Sequence, residues 1–163
     1  MKITFIQIGG TIDKSYPRTM KGYAFEIGEA AVGRVLDKIN PNFQYEIIPL
    51  LKKDSLDITE ADREKILETC RNISDSKIIL THGTDTMTET ASKLSGIKDK
   101  VIVITGAMRP EKFSDSDAMF NIGVAVAAVQ TLPPGIYIAM NGRVYNWDRV
   151  KRDRADGKFV ESV

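Results

Sequence analysis

Short apolar runs, rich in β-branched residues, recur along the chain: ITFIQI at 3–8, YEIIPL at 45–50, KIIL at 77–80, VIVIT at 101–105 and IYIAM at 136–140. Near-continuous apolar character marks strands covered on both faces, not strands with one solvent face. Between most of them the period becomes helical. EAAVGRVLDKI follows Gly28, and EADREKILETCRNI follows DIT, with Thr59 placed as N-cap and Asp62 three positions on. Met87, Ala91 and Leu94 repeat at helical spacing, and Thr86-Met87-Thr88-Glu89 has the form of a capping box, which starts that helix near residue 86. DAMFNIGVAVAAVQTL is apolar nearly all round and predicts a buried helix. Strands alternating with helices predict an α/β fold, a mostly parallel sheet covered by helices on both faces.

Composition narrows the class without changing it. The 163 residues, 42% hydrophobic and 28% charged, suit one globular domain spanning 1–163. MKITFIQIGG lacks a small-residue cleavage site and reads as a buried first strand, not a signal peptide. No apolar run approaches the roughly 20 residues of a membrane span. Cys70 is the only cysteine, so no internal disulfide can form and a cytoplasmic location fits; its helical spacing with Ile66, Leu67 and Ile73 assigns it to the core. One His and one Cys cannot build the clusters typical of zinc sites. A net charge of +1 supplies no general attraction to nucleic acid or anionic membrane. One shift comes late: Arg143 to Lys158 holds six Lys/Arg and three Asp with few apolar residues, and reads as a solvated face.

In open parallel sheets ligands sit beyond the carboxyl ends of the strands. Four strand-to-helix loops therefore matter: 9–28, 52–59, 81–86 and 105–117. In THGTDT (81–86) the following helix directs its first N–H groups and the positive end of its dipole toward the crevice, a seat for a carboxylate. Capping accounts for Thr86 but not for Thr84 and Asp85, which are either further turn residues or ligand contacts. The loop lacks the GK[ST] ending of a phosphate loop. GGTID (9–13) has the same character, with paired glycines turning the chain and presenting Thr11 over the same sheet edge. Two hydroxyls at neighbouring strand ends can act as nucleophile and relay, each with a nearby Lys, Tyr or carboxylate as base. His82, the one histidine, is read as a structural hydrogen-bonder, with catalysis as the alternative.

Together these segments resemble the bacterial-type L-asparaginase family. GGTID is similar to its first threonine loop, THGTDTMTETA to its second, VIVITGAMRP to its third signature strand and turn, and SDAMFN to its Asp-x-x-Phe-Asn segment. DSLDIT (54–59) is a weaker match, and the likeness runs from residue 3 to about 141. The resemblance implies the fold of that family's N-terminal domain. It also implies hydrolysis of an amino-acid amide, asparagine to aspartate and ammonia, by a threonine nucleophile without a cofactor. By matching position it makes Thr11 the nucleophile and Thr84 the second hydroxyl of the relay. Asp85 would hold the substrate ammonium, Ser55 and Gly83 its α-carboxylate, and the Ala107 carbonyl its amide. The loop tyrosine serving Thr11 would be Tyr23, with Tyr16 as alternative.

Three departures stand out. Leu56 replaces a residue that is usually polar. The lysine that serves the family's second threonine aligns with Arg152, beside Lys151; an arginine keeps the charge but cannot accept a proton near neutral pH. Members commonly carry a second, C-terminal domain that helps close a neighbour's site; this chain stops about where that domain would begin, so self-association into a homo-oligomer is expected to supply the missing wall. A binding module that keeps the asparagine/aspartate pocket without turnover is the rival reading, and a scaffold docking through its basic tail a third.

Overall fold

The computed structural model describes residues 1–17 and 25–162. Strand β1 (Lys2–Gly9) leads through a single-turn helix at Thr11–Asp13 into a two-residue antiparallel pair, β2 (Lys14–Ser15) with β3 (Glu26–Ile27). There follow α1 (Ala31–Ile39), β4 (Gln44–Lys53), α2 (Glu60–Asn72), β5 (Lys77–Thr81), α3 (Met87–Leu94), β6 (Val101–Thr105), α4 (Ala118–Thr131) and β7 (Gly135–Met140). Three short strands end the described chain: β8 (Arg143–Asn146), β9 (Val150–Arg152) and β10 (Phe159–Glu161). The main sheet runs β4-β1-β5-β6-β7-β8, parallel except for β8, which pairs antiparallel with β7. All five predicted strands and all four predicted helices form.

Alternation along each strand divides the core into two layers. On one face, Ile6, Ile8, Leu80 and Ile104 pack under α2 and α3, with Cys70 fully buried among them. On the other, Ile3, Phe5, Ile79 and Val103 pack under α1 and α4. Burial pushes the Cys70 thiol up to about 12, which leaves it inert as a nucleophile. The cap predicted for α2 is present: Thr59 Oγ1 accepts from Asp62 N at 3.2 Å while Asp62 Oδ2 accepts from Thr59 N at 2.8 Å. Among the described residues no helix is long and apolar enough to cross a membrane.

Three expectations are corrected. The capping box at Thr86 does not form, because both of its members are taken elsewhere. Thr86 Oγ1 donates to the Ser55 carbonyl at 2.8 Å, and Glu89 pairs with Arg63 at 2.8 Å. Helix α4 is not buried all round: Ala118, Ile122, Ala125 and Val129 face the sheet, while Met119 and Phe120 stand 45% and 64% exposed. The 143–158 segment is not merely a solvated face. It adds β8 to the sheet edge and buries Tyr145 and Val150, together with Phe159, in the α2/α3 layer.

The order of strands fixes where a ligand can enter. From β1 the chain passes to β4 on one side, and from β5 to β6 on the other. The boundary between β1 and β5 is thus the topological switch point, and the loops diverging from it open a crevice at the carboxyl ends of the strands. Those are the loops that carry Thr11 and Thr84.

Candidate active site

Two glycines bring these loops together. Gly10 has φ 85° and ψ −173°, a conformation essentially reserved for glycine. A Cβ there would lie 2.3 Å from both the Cα and the N of Gly83. Gly83 is as crowded on its other flank, where a Cβ would come within 2.7 Å of the Ser55 side chain. Backbone therefore lies on backbone from the β1 loop to the β5 loop and on to the turn after β4. Thr11 and Thr84 are each the residue after one of these glycines. Thr11 is half-buried and Thr84 is 8% exposed.

The β4 turn is fastened to the β5 loop through one serine. Ser55 Oγ accepts from the Asp85 amide at 3.2 Å and donates to Asp85 Oδ2 at 3.4 Å. With Thr86 on the Ser55 carbonyl, this sets Asp85 at the mouth of α3 with its carboxylate 43% exposed. The same carboxylate takes an ion pair from Arg152 of β9. Arg152 thus reaches the site by way of Asp85, and Lys151 beside it is exposed. A cleft of about 590 Å³ opens here, lined by Leu56, Asp85, Thr86, Glu89, Lys151 and Arg152. Leu56, the departure noted above, is 73% exposed at its edge.

His82 is wholly buried, with Nδ1 2.7 Å from the Gly83 carbonyl and Nε2 2.8 Å from Thr90 Oγ1. A carbonyl only accepts, so Nδ1 carries the proton and Nε2 accepts from the threonine. Desolvation lowers its pKa to about 4, keeping the ring neutral. His82 is a brace for the β5 loop, as its sequence context suggests.

The loop after β6 is held by the SDAMFN segment, whose role the sequence did not disclose. Asp117 accepts from the Met108 amide at 3.0 Å and the Arg109 amide at 3.1 Å, while Asn121 Nδ2 donates to the Gly106 carbonyl at 3.0 Å. These bonds fix Ala107, which is 1% exposed, and His82 N donates to the Thr105 carbonyl at 2.9 Å to tie this loop to the next. Lys14 adds a further strap, pairing with Asp54 at 2.6 Å to join the β2 turn to the turn bearing Ser55. Tyr23 lies outside the described residues. Tyr16 is 73% exposed, its ring edge-on to Phe25 at 5.7 Å. Among the described residues no group of three His, Cys, Asp or Glu could hold a metal ion.

The arrangement combines a carboxylate at a helix N-terminus, a buried serine and a guanidinium with two glycine-packed loops that carry Thr11 and Thr84. It offers an anion for a substrate cation, donors for a substrate anion, and hydroxyls for acyl transfer. The family model described as Asparaginase, N-terminal matches residues 2–158. L-asparaginase 1 of Escherichia coli K12 is 32% identical over 124 residues, covering 72% of this chain and 36% of that protein. A glutaminase-asparaginase of Acinetobacter glutaminasificans is 26% identical over 158 residues, covering 88% of this chain and 47% of that protein. Among solved structures, the thermostable L-asparaginase from Thermococcus kodakarensis superposes with a TM-score of 0.83 at 27% identity, covering 99% of this chain and 51% of that one. The chain spans half or less of the length of the curated relatives it matches.

Proposed function

The chain belongs to the asparaginase family, matching its N-terminal domain, and on that premise we propose that it hydrolyses an amino-acid side-chain amide, L-asparagine first, through Thr11. The observation that supports the proposal is the close approach of Gly10 to Gly83, which brings together the two loops that carry Thr11 and Thr84. Asp85 receives the substrate ammonium. The Ser55 hydroxyl and the Gly83 amide donate to its α-carboxylate, helped by the α3 dipole. The Ala107 carbonyl accepts from the amide nitrogen and turns the carbonyl carbon toward Thr11, with Tyr23 assisting the hydroxyl. Thr11 Oγ1 bonds to that carbon, its proton passes to the departing nitrogen, and the C–N bond breaks to release ammonia. Water, oriented by Thr84, then adds to the ester; the Thr11 Oγ1–C bond breaks and the hydroxyl regains its proton. Arg152 holds Asp85 and stabilises negative charge near Thr84, but it is not the proton acceptor.

The test is ammonia release from purified protein with about 10 mM asparagine, a concentration above most KM values. Replacing Thr11 or Thr84 by alanine is expected to cost on the order of 10²-fold or more. No release above the Thr84→Ala control ends the proposal. Self-association belongs to the same reading and is supported by Met119 and Phe120 exposed on the outer face of α4; a monomeric mass by light scattering would refute it.

The Arg152–Asp85 ion pair supports a second reading, a binding module. A guanidinium already on Asp85 competes with the substrate ammonium and supplies no base. This reading expects thermal stabilisation by aspartate without ammonia release.

A further inference from the structure

We infer that Asp13 is a positioning residue for Thr11: its carboxyl fastens the 11–13 turn to the start of α1 and fixes the direction from which the Thr11 hydroxyl meets the crevice. The inference rests on the reading of Thr11 as nucleophile.

Asp13 is a carboxylic acid 1% exposed in a turn that follows the first strand. Its Oδ1 accepts from the Ala31 amide, the first of α1, at 2.7 Å. Ala30, at the N-cap position, has no side chain able to do this, so Asp13 caps α1 from 18 residues away. The backbone of the turn is held on both sides. The Asp13 carbonyl accepts from Gly28 N at 3.0 Å, and the Ile12 carbonyl from Glu111 N at 3.1 Å. Asp13 is thus the side chain that locks the turn to a helix, two residues from the proposed nucleophile. Loss of such a lock is the kind of small displacement that costs catalysis without costing the fold.

The second carboxyl oxygen is the informative atom. Asp13 Oδ2 is buried, and the Gln7 side chain lies beside it on β1. Gln7 Nε2 gives one N–H to the Gly28 carbonyl at 2.9 Å, and the Gln7 side chain also acts on the Asp13 carboxyl as a hydrogen-bond partner that holds its pKa down. The charged groups facing the carboxyl are Arg34 of α1 and Lys52 of β4. Arg34 is engaged by Glu111 of the β6–α4 loop at 2.6 Å, and Lys14, next in the chain, by Asp54. Desolvation outweighs the hydrogen bonds from Ala31 and Gln7 and the pull of these cations, and raises the Asp13 carboxyl to about 6. An asparagine at this position would keep the acceptor for Ala31 and remove the titration; an alanine would remove the tether.

The experiment measures ammonia kinetics against pH for the wild type, Asp13→Ala and Asp13→Asn, with amide hydrogen exchange at Ala31. Asp13→Ala is expected to lower kcat about tenfold or more with KM within about threefold, and to speed exchange at Ala31. Asp13→Asn is expected to restore kcat to within about threefold and to lose an inflection expected near pH 6 in the wild type. A folded Asp13→Ala protein with wild-type kcat, or an Asp13→Asn protein no better than it, overturns the inference. Should Asp13→Ala fail to fold, the Asp13→Asn pH profile decides, and an unchanged inflection refutes the role. Absence of ammonia from the wild type defeats the functional reading instead. Exchange at Ala31 still reports the tether, and unaltered protection in Asp13→Ala counts against it.

Discussion

Substituting Gly10 by alanine perturbs the one contact on which the site depends. The new Cβ would meet Gly83 Cα and N at 2.3 Å, and neither neighbour is a flexible side chain that could swing away. Overpacking against fixed backbone costs about 1–3 kcal/mol. The backbone at φ 85° and ψ −173° adds about 1–3 kcal/mol for any residue with a Cβ. The sum, about 2–6 kcal/mol, is a large share of the roughly 5–15 kcal/mol that holds a domain together. Part of the strain can be relieved by moving the β1 loop off the β5 loop, which separates Thr11 from Thr84. The assay is urea unfolding together with ammonia release. Gly123→Ala serves as control, since this exposed position of α4 has nothing within 4 Å of its added Cβ. Helix propensity alone should make that control more stable by about 0.5–1 kcal/mol. A Gly10→Ala protein within about 0.5 kcal/mol of the wild type and fully active would refute the loop contact.

Three further outcomes follow from the same geometry. Two buried groups oppose each other as pH falls from about 6.5 to about 4. His82, lowered to about 4, binds fewer protons folded than unfolded, so stability is lost as pH falls. Asp13, raised to about 6, binds more protons folded, so stability is gained. Each is worth about 3 kcal/mol at 1.36 kcal/mol per unit. The pair nearly cancels in the wild type, and thermal melts of Asp13→Asn should expose the acid loss due to His82; a flat profile in that variant would contradict the assignment. Arg152→Lys introduces an amine able to exchange a proton and should raise kcat about tenfold or more, whereas unchanged turnover would show that a proton acceptor at this position is not limiting. Thr59→Ala removes the α2 cap and should cost about 1 kcal/mol in urea unfolding, while an effect below about 0.3 kcal/mol would contradict the capping role.

The central strands and all four helices were legible because burial on both faces writes a continuous apolar run, and helices between such runs leave few other topologies. The late strands were not. β8 and β9 bury one residue each, Tyr145 and Val150, and set them among charged neighbours, so neither local period appears. β8 pairs with the completed edge of β7, and β9 pairs instead with β10. Helix α4 misled for the opposite reason: its exposed face carries Met119, Phe120 and Ala127, and apolar residues on both sides erase the amphipathic signal. At the site, the glycine–threonine loops announced themselves through residue type. The partners did not, because Thr86 to Ser55, Asp117 to the β6 loop and Asp13 to Ala31 are tertiary contacts between segments with no shared pattern. The Thr86 and Glu89 spacing matched a local motif that tertiary partners then broke.

The central claim is that Thr11 carries the acyl group. It is tested most directly by rapidly quenching the protein during turnover of asparagine and mapping the adduct by peptide mass spectrometry. The account expects an aspartyl ester on Thr11, abolished in Thr11→Ala and longer-lived in Thr84→Ala. Ammonia released at the wild-type rate by Thr11→Ala, or an adduct on any other residue, would contradict it.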